Sequence, residues 1–181
     1  MRLTPPVPPL QSGDVRLRPF RLDDAAAIAM ACDDPAIGRF TFMEEGLTQA
    51  EARQWIEDKC GQWDEGIARF AIVHGTSDEL LGHVGLAVVD RHQSAEVFYW
   101  VTRSARGRGV AVTAVGLLCD WGFENGIERL YLLIHPENDA SRRVAARTGF
   151  AYEGLLRSYE PFKGGRADLE SWSLLPNDTR T

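Results

Sequence analysis

The stretch from Thr102 to Cys119 contains Arg103, Arg106 and Arg108 and no acid, in a chain whose formal charge is -6. At its centre stands Arg106-Gly107-Arg108-Gly109-Val110-Ala111, between an apolar run with strand character and one with helix character. Free backbone N–H groups and the dipole at a helix N-terminus hold anions, and glycines let the backbone come close. The segment therefore reads as a pyrophosphate-binding turn, with a glycine-rich turn carrying solvated arginines as the alternative. Other phosphate motifs do not fit. A Rossmann fingerprint needs glycine where Val112 stands, and a Walker A loop needs Gly-Lys-Ser/Thr.

A second chemical candidate is Glu96, inside the run Ala95-Glu-Val-Phe-Tyr-Trp-Val101. In a regular strand it shares a face with Phe98 and Trp100, where partial desolvation raises a carboxylate's pKa and suits it to accept a proton. An edge-exposed carboxylate is the other reading. His74, His83 and His135 are alternative bases, but the four histidines have no ligand-like spacing, so no metal site is expected. Cys32, Cys60 and Cys119 lie far apart and read as buried, reduced thiols rather than disulfides or metal ligands.

The elements that must position these groups follow from periodicity. Val15 to Pro19 alternates like an edge strand, and Ala25 to Ala31 is a helix stopped by Asp33-Asp34-Pro35. Thr48-Gln-Ala-Glu51 is a capping box opening an amphipathic helix to about Glu65. Strands at Arg69–His74 and Leu80–Val89 form a hairpin. A polar turn at Asp90–Ser94 leads to the central strand Ala95–Val101. A helix then runs from Gly107 to Asn125 with Gly126 past its end, followed by strand Leu130–Ile134 and helix Asn138–Arg147. Strand, helix, strand implies one parallel pairing. Phe150–Arg157 and Leu169–Leu175 are two last strands around a Lys163-Gly-Gly165 turn.

The chain's 181 residues fit one domain, residues 14–176, between a Pro-rich extended tail at 1–13 and a short tail at 177–181. The acidic total argues against a DNA-binding or membrane-surface role. No run is long enough for a signal-peptide core or a membrane span, so a cytoplasmic protein is expected. Residues 1–65 hold twelve acids against seven bases, which suits a cationic partner.

Arg106-Gly-Arg-Gly-Val-Ala111, entered from a strand and opening a helix, resembles the coenzyme A loop of the GNAT acetyltransferase superfamily. Asn138-Asp-Ala-Ser141-Arg-Arg-Val144-Ala-Ala-Arg-Thr-Gly149-Phe150 is similar to a segment of its RimJ/RimL-type branch. Glu153-Gly-Leu-Leu-Arg157 and the Ala95–Val101 strand are two further markers, in the family's order. The resemblance implies an α+β (mixed α/β) GNAT fold: a mostly antiparallel central sheet with a splayed cofactor-binding strand pair, flanked by helices.

It also implies roles. Backbone N–H groups from Arg106 to Ala111 would hold the pyrophosphate of acetyl-CoA or another acyl-CoA, with no metal. Val101, Thr102 and Arg103 would pair by main chain with the pantetheine arm, whose amides are strand-like. Arg103, Arg106 and Arg108 would add charge or be solvated. Asn138 would cap its helix and touch the pantetheine. Arg142, Arg143 and Arg147 form a solvated face or a contact for the adenosine 3'-phosphate. Many GNAT members carry a tyrosine as general acid where this chain has Ala145, so Ser141 becomes the candidate proton donor to the departing thiolate, or else a plain helix-capping serine. Glu96 would be the base. The implied function is N-acyl transfer, most simply acetyl, to a primary amine: a protein N-terminus or a small amine. The alternatives are a non-catalytic CoA-binding module, another acyl group such as succinyl and, more distantly, a nucleotide-binding protein. Dimeric relatives make the C-terminal strands with Trp172 either a homodimer interface or core.

Overall fold

A computed structural model of the protein describes residues 1–89 and 92–179. Eight strands form one sheet: β1 Leu10–Ser12, β2 Val15–Pro19, β3 Ile67–His74, β4 Leu80–Val89, β5 Ser94–Val101, β6 Arg129–Ile134, β7 Ala151–Phe162 and β8 Gly165–Leu174. Their order is β1-β2-β3-β4-β5-β6-β8-β7, and every pairing is antiparallel except β5 with β6. The helices are α1 Ala25–Cys32, α2 Pro35–Phe40, α3 Gln49–Lys59, α4 Val110–Glu124 and α5 Asp139–Arg147. The mixed α/β reading and the single parallel pairing are both observed.

Local chemistry accounts for most boundaries. Thr48 and Glu51 cap α3 reciprocally. Asn138 caps α5 by accepting from the Ser141 amide at 3.1 Å. The Asp34 side chain caps α2 through the Ala36 amide, with Pro35 in its first turn. The alternation of β5 sends Ala95 and Val97 into a core under α4, and Trp100 into a second core under α1 and α3. Trp63, Phe70 and Trp121 meet edge-on at 5.1 to 6.1 Å between centroids in the first core.

Three expectations change. Residues 1–13 are not all a tail: Leu3 is buried, its amide donates to the Trp63 carbonyl, and β1 pairs with β2, which is therefore not the edge strand. The apolar Leu3 gains more from the core than from water. As expected, α1 stops before Asp33-Asp34-Pro35, and Pro35 then opens α2, a short helix the periodicity did not mark. The helix from Thr48 ends at Lys59 and is followed by a 3-10 turn at Gln62–Glu65. Finally, α4 starts at Val110, after the glycines rather than with them. Asp90 and Arg91 of the expected polar turn, and Arg180 and Thr181 of the C-terminal tail, lie outside the described residues. Among the described residues no helix is long and apolar enough to cross a membrane.

Candidate active site

The β5–β6 ladder joins Ser94 to Arg129, Ala95 to Leu130 and Glu96 to Tyr131, and ends there. Beyond it β5 stays with β4 as far as Val101, and β6 stays with β8 as far as Ile134. A gap therefore opens in the middle of the sheet. The Thr102 amide donates to Leu81 O on β4, so by alternation the main-chain groups of Val97, Tyr99 and Val101 face the gap. The gap belongs to a cleft of about 540 Å³, walled by α2 and the segment after it, by α5, and by the far end of β7.

One end of the gap runs into the glycine loop. Gly107 and Gly109 have φ of +72° and +78°, and a Cβ on either would meet nothing within 4 Å, so the backbone angle rather than crowding selects glycine there. Gly109 caps α4, whose first amides, from Val110 to Val112, have no carbonyl a turn earlier to receive them. Ala105, buried, anchors the loop to the core. The three arginines separate. Arg106 pairs with Asp34 at 2.8 Å and reaches the Val101 carbonyl at 3.3 Å, Arg103 is exposed, and Arg108 lines a smaller polar pocket with Asp14 and His74.

The opposite wall is the start of α5. Asn138 and Ser141 both line the cleft, and the Asn138 side chain is engaged by the Ser141 amide, so the capping role is observed. Ser141 Oγ lies 2.9 Å from the Tyr99 hydroxyl. Burial pushes Tyr99 up to about 12, against the opposing effect of that hydrogen bond. Arg142 pairs with Asp139 and lies 3.6 Å from Glu170, whereas Arg143 and Arg147 are exposed.

Glu96 lines the cleft on the same strand face as Phe98 and Trp100, and the β4–β5 register runs through it without a bulge. Burial raises its pKa, and so, to a lesser extent, does the carboxylate of Glu160. Glu160 reaches the cleft because β7 shifts register between Leu156 and Glu160. Ser158 there takes a φ of +50°, and its amide is received by Asp168 at 2.6 Å. His83 also lines the cleft, but full burial drives it down to about 3, which makes it a poor base. His135 packs at 4.6 Å on Phe162, and burial lowers it as well. His74 belongs to the smaller pocket.

Tyr99, Glu160 and Arg69 are cleft residues that the sequence did not single out. The first was legible only as one aromatic of the β5 run, and the second depends on a bulge. The acid excess of residues 1–65 does not extend into the cleft lining. None of those acids lines the cleft; Asp24 and Asp64 pair with Arg18 and Arg2 instead. Trp172 packs against the main core, its indole N–H donating to Glu170. Cys32, Cys60 and Cys119 are all buried and free of disulfides.

A family model described as acetyltransferase (GNAT) domain matches residues 14–151. The chain is 32% identical over 165 residues to the uncharacterized N-acetyltransferase p20 of Bacillus licheniformis, covering 90% of this chain and 93% of that one. It is 25% identical over 115 residues to the ribosomal-protein-serine acetyltransferase of Escherichia coli, covering 62% and 64%. Among solved structures, Mycobacterium smegmatis RimJ in complex with CoA-disulfide superposes with a TM-score of 0.82 at 27% identity, over 91% of this chain and 83% of that one. The chain belongs to the GNAT acetyltransferase family, within its RimJ/RimL-type branch.

Proposed function

We propose that this N-acetyltransferase moves an acetyl group from acetyl-CoA to a primary amine, a protein N-terminus or a small amine, by direct attack while both are bound. The observation that carries the reading is the sheet gap. It joins a phosphate-type loop at one end to a desolvated carboxylate, Glu96, at the other, with a paired hydroxyl, Ser141, in its wall.

The chain's groups suit the acyl donor. The amides of Gly107 to Val112 and the positive end of α4 fit a pyrophosphate. The gap-facing main-chain groups of Val97, Tyr99 and Val101 fit a pantetheine arm paired like an extra strand, with Thr102 and Arg103 at its outer end. Asn138 adds a side-chain contact from the other wall. When bound, acyl-CoA supplies an acyl carbon activated as a thioester. The amine nitrogen attacks that carbon, a C–N bond forms, and the C–S bond breaks. Glu96, poised by burial, takes the proton the amine loses, and Ser141 gives one to the departing sulfur. Tyr99, hydrogen-bonded behind Ser141, passes its proton on to Ser141, and the phenol is reprotonated from solvent, to which Glu96 gives up the proton it took.

The relative named for ribosomal-protein-serine acetylation supports a protein as one acceptor class. Three buried cysteines, none of them in a disulfide, support a reducing, cytoplasmic setting. A homodimer is carried over from the family's habit. Calorimetry with acetyl-CoA tests the donor site: saturable binding in the micromolar range is expected, and no heat at millimolar concentration overturns the reading.

A further inference from the structure

Arg69, on β3, lines the cleft and has no carboxylate within ion-pair distance among the described residues. Its position is fixed. Nη1 donates to the Lys59 carbonyl at 2.9 Å and to Gln62 Oε1 at 3.0 Å, and the guanidinium carbon stands 5.4 Å from the centre of the Phe98 ring. That leaves Nε and Nη2, the other half of the guanidinium fork, with no partner among the described residues. An arginine held by two neutral acceptors and an aromatic face, with its remaining donors spare, is preorganised for an oxyanion.

The neighbours point the same way. The sheet register sets Arg69, Gly85 and Phe98 in one row, and Ala71, His83 and Trp100 in the next, on one face. Gly85 has no side chain, and a Cβ there would meet the Phe98 ring at 2.5 Å, so the glycine lets Phe98 lie beside Arg69. In the second row His83 Nε2 and Trp100 Nε1 are both buried, both belong to cleft-lining residues, and neither has a hydrogen-bond partner among the described residues. Buried polar atoms are seldom left unpaired unless a ligand or water completes them. Glu96 stands two residues along β5 from Phe98, on the same face.

We propose that Arg69, with the ring nitrogens of His83 and Trp100 in the adjoining row, forms a carboxylate-binding subsite, so that the preferred acceptor is a primary amine bearing a carboxylate a short chain away. This rests on the reading of the cleft as the site of amine acetylation. The amine faces Glu96 and the carboxylate lies against the Arg69 fork. The carboxylate can come from the side chain of a peptide's first residue or from a free amino acid.

Matched acceptors separate these sources: peptides beginning with Asp or Glu against the same peptides beginning with Asn or Gln, and free amino acids against their amides. Thiol release from acetyl-CoA is followed with the wild-type protein. In at least one arm the carboxylate member is expected to show about 10-fold or higher kcat/KM, the usual worth of a charge-assisted bond. In Arg69→Gln that ratio falls towards one, and Arg69→Lys keeps part of it, with acetyl-CoA binding showing that each variant is folded. Equal or better turnover of the amides in both arms overturns the subsite while leaving the transferase reading in place, as does an Arg69→Gln protein that slows both members equally. An absence of amine-dependent release with every amine tried overturns the transferase reading and the subsite with it.

Discussion

The Tyr99 hydroxyl lies 2.9 Å from Ser141 Oγ and so links the central strand β5 to the first turn of α5 across the gap. Burial keeps the phenol protonated well past neutrality, up to about 12. The pair can therefore hand a proton outward from Ser141 and refill it from Tyr99, the phenol then recovering a proton from solvent, so that no charge stays buried at rest. Ala145 stands at the position that the family resemblance associates with a tyrosine acid. In this chain a phenol reaches the same wall of the cleft from a different element.

Ser141→Ala is expected to lower kcat about 100-fold, the ordinary scale of positioned acid catalysis, with acetyl-CoA affinity nearly unchanged. Tyr99→Phe is expected to give a smaller loss. Because the two act as one unit, the double variant should be no slower than Ser141→Ala alone. Steady-state rates with calorimetric binding of acetyl-CoA check this; additive losses would mean that the hydroxyls act independently.

Glu96 gives a prediction with a defined sign. Its folded-state pKa is raised from 4.5 by burial and by Glu160, so the active, ionised form is lost as pH falls through a value above 4.5. Wild-type kcat should show an acidic limb there that Glu96→Gln lacks, on a rate about 100-fold lower. The same shift means that the ionised carboxylate costs stability above pH 4.5. Thermal melting should therefore find Glu96→Gln more stable than wild type at neutral pH, with the difference closing in acid.

The loop tests the donor site. Gly109 has φ +78° and open space around it, so Gly109→Ala introduces no clash but places a side chain in a left-handed conformation. The strain is about 1–2 kcal/mol, which converts to a 5- to 30-fold weaker binding of CoA if the loop relaxes to escape it. Titration of CoA against the variant reads this directly.

Much of this arrangement could be read along the chain because it rests on local rules. The β5 alternation placed Glu96 beside Phe98 and Trp100, the glycines marked the loop, and the spacing from Asn138 to Ser141 marked a capped helix. What stayed hidden depends on partners distant in sequence. Glu160 reaches the cleft through a register shift in β7, and Asp34 meets Arg106 across the cleft rim. Tyr99 acquires a role only because α5 packs where its hydroxyl points. The burial of Leu3 was masked by the prolines after it, which suggest a free tail until Trp63 is seen to receive its amide. The acid count of residues 1–65 could not say where those acids lie, since a total carries no direction.

One cluster concerns stability alone. Arg18 and Asp24 form a buried bidentate pair at 2.8 Å, and Asp78 closes on Arg16, Arg18 and Arg21 from the β3–β4 turn. Asp24→Asn leaves the buried Arg18 charge half compensated and is expected to cost about 3 kcal/mol, read by denaturant unfolding, with the acetyl-CoA affinity of the folded protein retained.

The central claim is that this fold acetylates amines through the β5–β6 gap. The most direct measurement incubates the purified protein with acetyl-CoA and a panel of primary amines, following free thiol and the mass of each amine together. The account predicts thiol release that depends on the amine, an equal amount of acetylated amine, and a rate at least 100-fold lower in a Glu96→Gln, Ser141→Ala double variant. Tight CoA binding with no amine-dependent release above that double variant would contradict it.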